Sequence, residues 1–308
     1  MKLFPECMPC MVDQVRKALV LLAPNIKQDR IVEAQQELMK RLGSLDLKST
    51  SNVLIGAVTY DVVGDFLNLE DPYAEIKKRY NNIAMKLYPR VKKMVEVSDH
   101  PLTMALRASI MGNSIDFGAP TNINIEAEIE NLSNNDLGGE ENIRDFVQHI
   151  KRSHNILVLG DNAGEIVFDK ILVETLSEHY PDKTLTYSVR GGPIINDSTM
   201  EDAKFVGMHE ICNVVETSAT PGIYLEESSD EFVNIFKSAD LILSKGQGNF
   251  EAVIDIPTDW VDVYFLLKAK CDLMTKIFDV PGGTLLLVKK DKILVDRIAN
   301  DKYTTSCL

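Results

Sequence analysis

From Asn155 onward the sequence repeats one arrangement: a short apolar run, a polar loop that is often Gly-rich, then apolar residues at helical spacing. The runs at 155–159, 184–189, 213–216, 241–244, 263–267 and 284–288 have the length and branched content of buried strands. Helical patterns follow at 165–180, from the Asn196-Asp197-Ser198 capping candidates, at 229–236 and at 272–278. This alternation predicts an α/β fold: a Rossmann-like, mostly parallel sheet with helices on both faces. In such a sheet the loops leaving the strand ends share one edge, where ligands bind.

The first half has no such runs. Apolar residues at three- and four-residue steps predict helices over 11–22, 28–42, 51–63, 74–97 and 101–111, with Gly43 ending the second and Pro89 kinking or splitting the fourth. An acidic, Asn-rich stretch from 122 leads to Gly138-Gly139, and a helix over 142–153 enters the sheet. The expected division is an all-α subdomain at 1–140, an α/β metal- and phosphate-binding domain at 141–300, and a loose tail at 301–308.

Composition removes several function classes. A net charge of −13 with no basic stripe argues against nucleic acid and anionic membranes as partners. No apolar run approaches the roughly 20 residues of a membrane span, and the first residues lack a signal-peptide core, so a cytoplasmic protein is expected. Five cysteines, an odd number, suggest reduced thiols.

Three loops carry the chemistry: Gly160-Asp161-Asn162-Ala163-Gly164-Glu165, Arg190-Gly191-Gly192-Pro193-Ile194-Ile195-Asn196-Asp197, and Ser244-Lys245-Gly246-Gln247-Gly248-Asn249. Asp161, Asn162 and Asp197 offer hard oxygens to a divalent cation, leaving room for water and a phosphate oxygen. Asp161 and Asp197 could instead be helix caps. Lys245, at a strand end before a Gly-x-Gly turn, is placed to meet phosphate as a point charge. Glu165 and Asp169 lie one turn apart; Glu165 would reach the site through water, and Asp169 reads as part of a solvated face. Of Lys268 and Lys270, one is expected to face the cleft.

The three loops, together with Cys7-Met8-Pro9-Cys10 and Lys270-Cys271, resemble the motifs of the damage-control phosphatases, in their short stand-alone prokaryotic and archaeal branch. The resemblance runs from Cys7 to about Val288. It implies a metal-dependent phosphatase of metabolite damage control, acting on small phosphorylated metabolites such as sugar phosphates or damaged cofactor fragments. The cation would be Mg²⁺, Mn²⁺, Co²⁺ or Ni²⁺ on Asp161, Asn162 and Asp197. Phosphate contacts would fall to Lys245, Gly246, Asn249 and Lys268, and the helical half would add Asn113 and Asp116. The nucleophile would be a metal-bound water or the Asp161 carboxylate.

Two other classes compete. A non-catalytic nucleotide- or cofactor-binding protein would share the sheet, but no Gly-x-Gly-x-x-Gly follows the first strand. A thiol or metal protein using Cys7 and Cys10 lacks a second Cys or His pair at ligand spacing. The five histidines show no ligand spacing either and are expected at the surface. Substrate identity and a homo-oligomeric state stay open.

Overall fold

The computed structural model describes residues 1, 3–114, 132 and 136–293, with the backbone alone at 113 and 114. Six strands form one sheet in the order β3-β2-β1-β4-β5-β6: β1 (Asn155–Leu159), β2 (Thr184–Val189), β3 (Asn213–Glu216), β4 (Leu241–Lys245), β5 (Asp262–Lys268) and β6 (Leu285–Lys289). The first five are parallel to their neighbours, and β6 runs antiparallel to β5. The chain leaves β1 towards β2 and β3, then returns to β4 on the other side of β1. The gap between the carboxyl ends of β1 and β4 is therefore the topological switch point.

Among the described residues, five helices come before Gly138-Gly139, as the periodicity predicts: α1 (Cys7–Leu22), α2 (Gln28–Gly43), α3 (Asn52–Leu67), α4 (Ala74–Glu96) and α5 (Pro101–Ser114). Pro89 does not split α4. It stands on the exposed face, where water can take the hydrogen bond that proline cannot make. Six more helices accompany the strands: α6 (Glu140–Arg152), α7 (Glu165–His179), α8 (Met200–Val206), α9 (Asp230–Ser238), α10 (Gly246–Val253) and α11 (Asp272–Phe278).

Side chains alternate across the strands, so each face of the sheet builds its own core. Ile156, Val158, Tyr187, Leu243, Tyr264 and Leu266 pack with residues of α4 to α8 on one face. Leu157, Leu159, Ile242, Phe265 and Leu267 pack with α9, α10 and α11 on the other. A third apolar cluster, including Val15, Leu19, Leu38, Leu42, Ile55 and Val62, joins α1, α2 and α3. Helices α4 and α5 thus share their core with the sheet, while α1 to α3 have one of their own.

Two packing features fix the switch point. Helix α7 is apolar on nearly every side and lies against α5, so closely that a Cβ on Gly112 would come within 2.8 Å of the Glu165 Cα. Across the sheet, Phe250 of α10 is fully buried, with its ring 4.9 Å from that of Phe265 and 5.2 Å from that of Phe278. Burying such a ring is worth about 1.5–3 kcal/mol, which pins the short helix against β5.

Candidate active site

The Asp161 and Asp197 loops are sewn together by their backbones. Ser198 N–H donates to the Asp161 carbonyl at 2.8 Å, Ala163 N–H donates to the Asn196 carbonyl at 2.8 Å, and Asn162 and Asp197 form an isolated antiparallel bridge. The structure therefore brings Asp161, Asn162 and Asp197 together at the switch point, with Asp161 7 % and Asp197 3 % exposed. Neither aspartate caps a helix. Gly164 is the N-cap residue of α7, and α8 opens at Thr199, whose capping box with Asp202 satisfies the first turn. The expected start at Asn196-Asp197-Ser198 is thus corrected to a later residue, because Asp197 turns its carboxylate inward.

What Asp197 meets there is Arg190, a residue whose role the sequence did not mark. Its guanidinium is 1 % exposed. Nε donates to Asp197 Oδ2 at 2.7 Å, Nη1 donates to Asn249 Oδ1 at 2.9 Å, and Nη2 stands 3.9 Å from Asp161 Oδ1. Asn249 spends its own amide nitrogen on the carbonyls of Gly160 and Lys245, at 2.8 and 2.9 Å. It braces the ends of β1 and β4 from inside, where the sequence suggested a phosphate contact.

Lys245 is placed inside the same acidic edge. It is fully buried, and its ammonium contacts the carboxylates of Glu165 and Asp169 and lies 3.3 Å from the Ser109 carbonyl. Asp169 is not on a solvated face: it is fully buried and also accepts from Ser109 Oγ and Tyr187 Oη, each at 2.7 Å. The i, i+4 spacing read as a surface pattern is instead a buried carboxylate pair on one cation.

Gly246 follows with φ +76°, and a Cβ there would sit 1.9 Å from Asp161 Oδ2. Only glycine permits both the left-handed backbone and this approach. The close approach sets the N-terminus of α10 beside the Asp161 carboxylate, a favourable place for an anion. Ile195, two residues before Asp197, also has positive φ, +46°. A β-branched residue is costly there; its packing against the α1–α3 cluster holds it.

Of the two lysines at the end of β5 and just beyond it, Lys270 acts electrostatically on Asp161 from an exposed position. Lys268 is half-buried and stands on the same sheet face as Lys245. Asp116 and the Asn113 side chain lie outside the described residues, as does the tail at 301–308.

Burial dominates the electrostatics. It pushes Asp161 up to about 7, with the neighbouring Asp197 charge adding to the rise and Arg190 opposing it. Burial raises Glu165 to about 8, against the pull of Lys245. Asp197 is raised for the same reason, partly offset by Arg190. Burial pulls Lys245 down, but Asp169 and Glu165 outweigh it and hold the ammonium charged.

This donor set fits a hard divalent cation. Asp161, Asp197, Glu165 and Asp169 place four carboxyl groups near the buried cations Arg190, Lys245 and Lys77, with Lys77 acting on Asp197 and Lys270 acting on Asp161 from outside. Asn162 donates its amide nitrogen to Asp161 Oδ2 at 2.7 Å, so its side chain stands against that carboxylate. Among the described residues no three His, Cys, Asp or Glu side chains form a metal cluster. The amide of Asn162 would have to be the third ligand, with water and substrate completing the shell, as Mg²⁺-type ions favour.

The other candidate residues lie elsewhere. The described cysteines Cys7, Cys10, Cys212 and Cys271 are free thiols. Burial pushes the Cys7 thiol up to about 11, which suppresses the reactive thiolate. Four histidines are exposed, but His149 is buried, bonded between the Asp145 carbonyl, Tyr264 Oη and Asp262. The expectation of a surface position fails there because α6 turns that face onto β5.

A Rossmann-like sheet with paired, buried carboxylates at its switch point, roofed by a helical N-terminal part, defines the class. The chain belongs to the damage-control phosphatase ARMT1-like domain family, whose pattern matches residues 3–286. It is 36 % identical over 298 residues to protein MJ0202 of Methanocaldococcus jannaschii, covering 94 % of this chain and 96 % of that one. It is 32 % identical over 290 residues to a damage-control phosphatase of Archaeoglobus fulgidus, covering 93 % and 98 % of the two chains. The crystal structure of the DUF89 family protein PH1575 from Pyrococcus horikoshii superposes with a TM-score of 0.83 at 30 % identity, over 94 % of this chain and 99 % of that one. No described helix is long and apolar enough to cross a membrane.

Proposed function

We propose that this protein is a divalent-metal-dependent phosphatase of small phosphorylated metabolites, with the cation held by Asp161, Asn162 and Asp197. The observation that carries the proposal is the convergence of two buried aspartates, neither of them a helix cap, at the switch point of the sheet. Membership of a family whose archaeal relatives are named damage-control phosphatases supports the same chemistry.

When bound, a divalent cation would neutralise charge developing on a phosphoryl oxygen. Arg190 fixes the Asp197 carboxylate and, through Asn249, the strand ends that carry Asp161 and Lys245. Lys245 balances the Glu165 and Asp169 charges beneath the site, so its contribution is to preorganise the acidic edge. The Gly246 turn and the N-terminus of α10, with Lys268, are the proposed phosphate contacts. The helical part would supply the rest of the substrate pocket and limit water access.

The test is release of phosphate from p-nitrophenyl phosphate and a panel of phosphorylated sugars and cofactor fragments. It is run after EDTA treatment and again with Mg²⁺, Mn²⁺, Co²⁺ or Ni²⁺ restored. Activity is expected only with an added ion. Turnover that survives chelation contradicts the metal role, and no turnover with any ion favours a non-catalytic binding protein.

A further inference from the structure

One amide from the helical part joins the helices that follow both ligand loops. Asn81, on α4, is 2 % exposed. Its Oδ1 accepts the Gly164 N–H at 2.6 Å, and its Nδ2 donates to Asp202 Oδ1 at 2.6 Å. Gly164, at φ +81°, is the N-cap residue of α7 and follows Asn162 by two positions. Asp202 is in the first turn of α8, and its other carboxylate oxygen accepts from both the backbone and the hydroxyl of Thr199, two positions after Asp197. The two ends of the amide cannot be exchanged, because a backbone N–H requires the oxygen and a carboxylate requires the nitrogen.

We propose that Asn81 is a positioning residue for the cation site, setting from the helical side the spacing between the Asp161-Asn162 loop and the Asp197 loop. This rests on the assignment of the cation to those three residues. Backbone bonds already join the loops to each other, and Asn81 adds a tie from the helical side that holds the entry of α7 and the first turn of α8 to one side chain. Each bond is buried, so losing either leaves a desolvated group unpaired and lets its helix start shift. The helical part would then act as a gauge of ligand geometry as well as a cover.

The experiment measures Mn²⁺ binding by titration calorimetry, and Tm, on the metal-stripped full chain. Asn81→Asp sets a second carboxylate against Asp202 and is expected to weaken Mn²⁺ binding by about tenfold or more, the range found when outer-shell partners are removed. The double variant Asn81→Asp with Asp202→Asn keeps one carboxylate and one amide in reversed order. It leaves an acceptor for Gly164 and is expected to recover most of the affinity. Asn81→Ala adds no charge, covers the case in which Asn81→Asp does not fold, and is expected to weaken binding as well. A role confined to stability would lower Tm and leave the affinity of the folded protein unchanged. That result, or a double variant that binds no better than Asn81→Asp, overturns the proposal. Equal Mn²⁺ affinity in wild type and Asp161→Ala would instead overturn the site assignment itself, and this inference with it.

Discussion

Replacing Gly246 by alanine tests how tightly the Asp161 carboxylate is placed. Two costs follow from the geometry. The residue sits at φ +76°, where a side chain costs roughly 1–2 kcal/mol. The added Cβ would also lie 1.9 Å from Asp161 Oδ2, well inside contact distance. The carboxylate must then move by more than about an ångström, and a misplacement of that order costs roughly a hundredfold in rate. The expected phenotype is a Tm lower by a few degrees, folded by circular dichroism, with metal-dependent phosphate release reduced about 100-fold or more. Gly43→Ala is the control: nothing lies within 4 Å of its Cβ position at the end of α2. It is expected to be neutral or to stabilise by about 0.5–1 kcal/mol, with activity unchanged. Wild-type turnover by Gly246→Ala would refute the reasoning, since it would mean that the Asp161 carboxylate need not stand where the structure puts it.

Lys245→Met leaves Glu165 and Asp169 buried without their cation. It is expected to cost about 3–5 kcal/mol in chemical denaturation at pH 8. The deficit should shrink at pH 5, below the raised Glu165 value, where that carboxyl is neutral; a variant as stable as wild type at both pH values would show that Lys245 is not the counter-charge. The raised values of Asp161 and Glu165 have a second consequence. A carboxyl whose folded value exceeds its unfolded one stabilises the fold below the unfolded value, and that contribution is lost as pH rises through the folded value. For the metal-free protein the loss runs from about pH 4 to about pH 7 for Asp161 and to about pH 8 for Glu165. Its Tm should therefore fall more steeply over pH 5–8 in wild type than in Asp161→Asn, and equal slopes would contradict the raised Asp161 value.

The fold was legible because both signals that define it are local. Runs such as 155–159 and 184–189 are rich in branched and bulky residues since both faces of the sheet are covered, and their bounds match β1 and β2 residue for residue. Asp161, Asn162 and Asp197 could be grouped because the topology rule sends their loops to one edge. The supporting shell was not legible in the same way. The Glu165–Asp169 spacing is the same for an exposed face and for a buried pair, and only the packing of α5 and α7 decides between them. Lys245 at a strand end looks available until α7 covers it. Arg190 follows β2 directly before a Gly-Gly pair, and a charge in that position was a signal that could have been read as a buried partner. Asn81 is out of reach of any pattern, because its partners lie 83 and 121 residues away along the chain.

The central claim is that Asp161 organises metal-dependent phosphoryl chemistry at the switch point. It is tested most directly by phosphate release from purified Asp161→Ala with saturating Mn²⁺, alongside wild type and with folding checked by circular dichroism. Loss of all metal-dependent release with the fold retained is the predicted result, and turnover at the wild-type rate would contradict it.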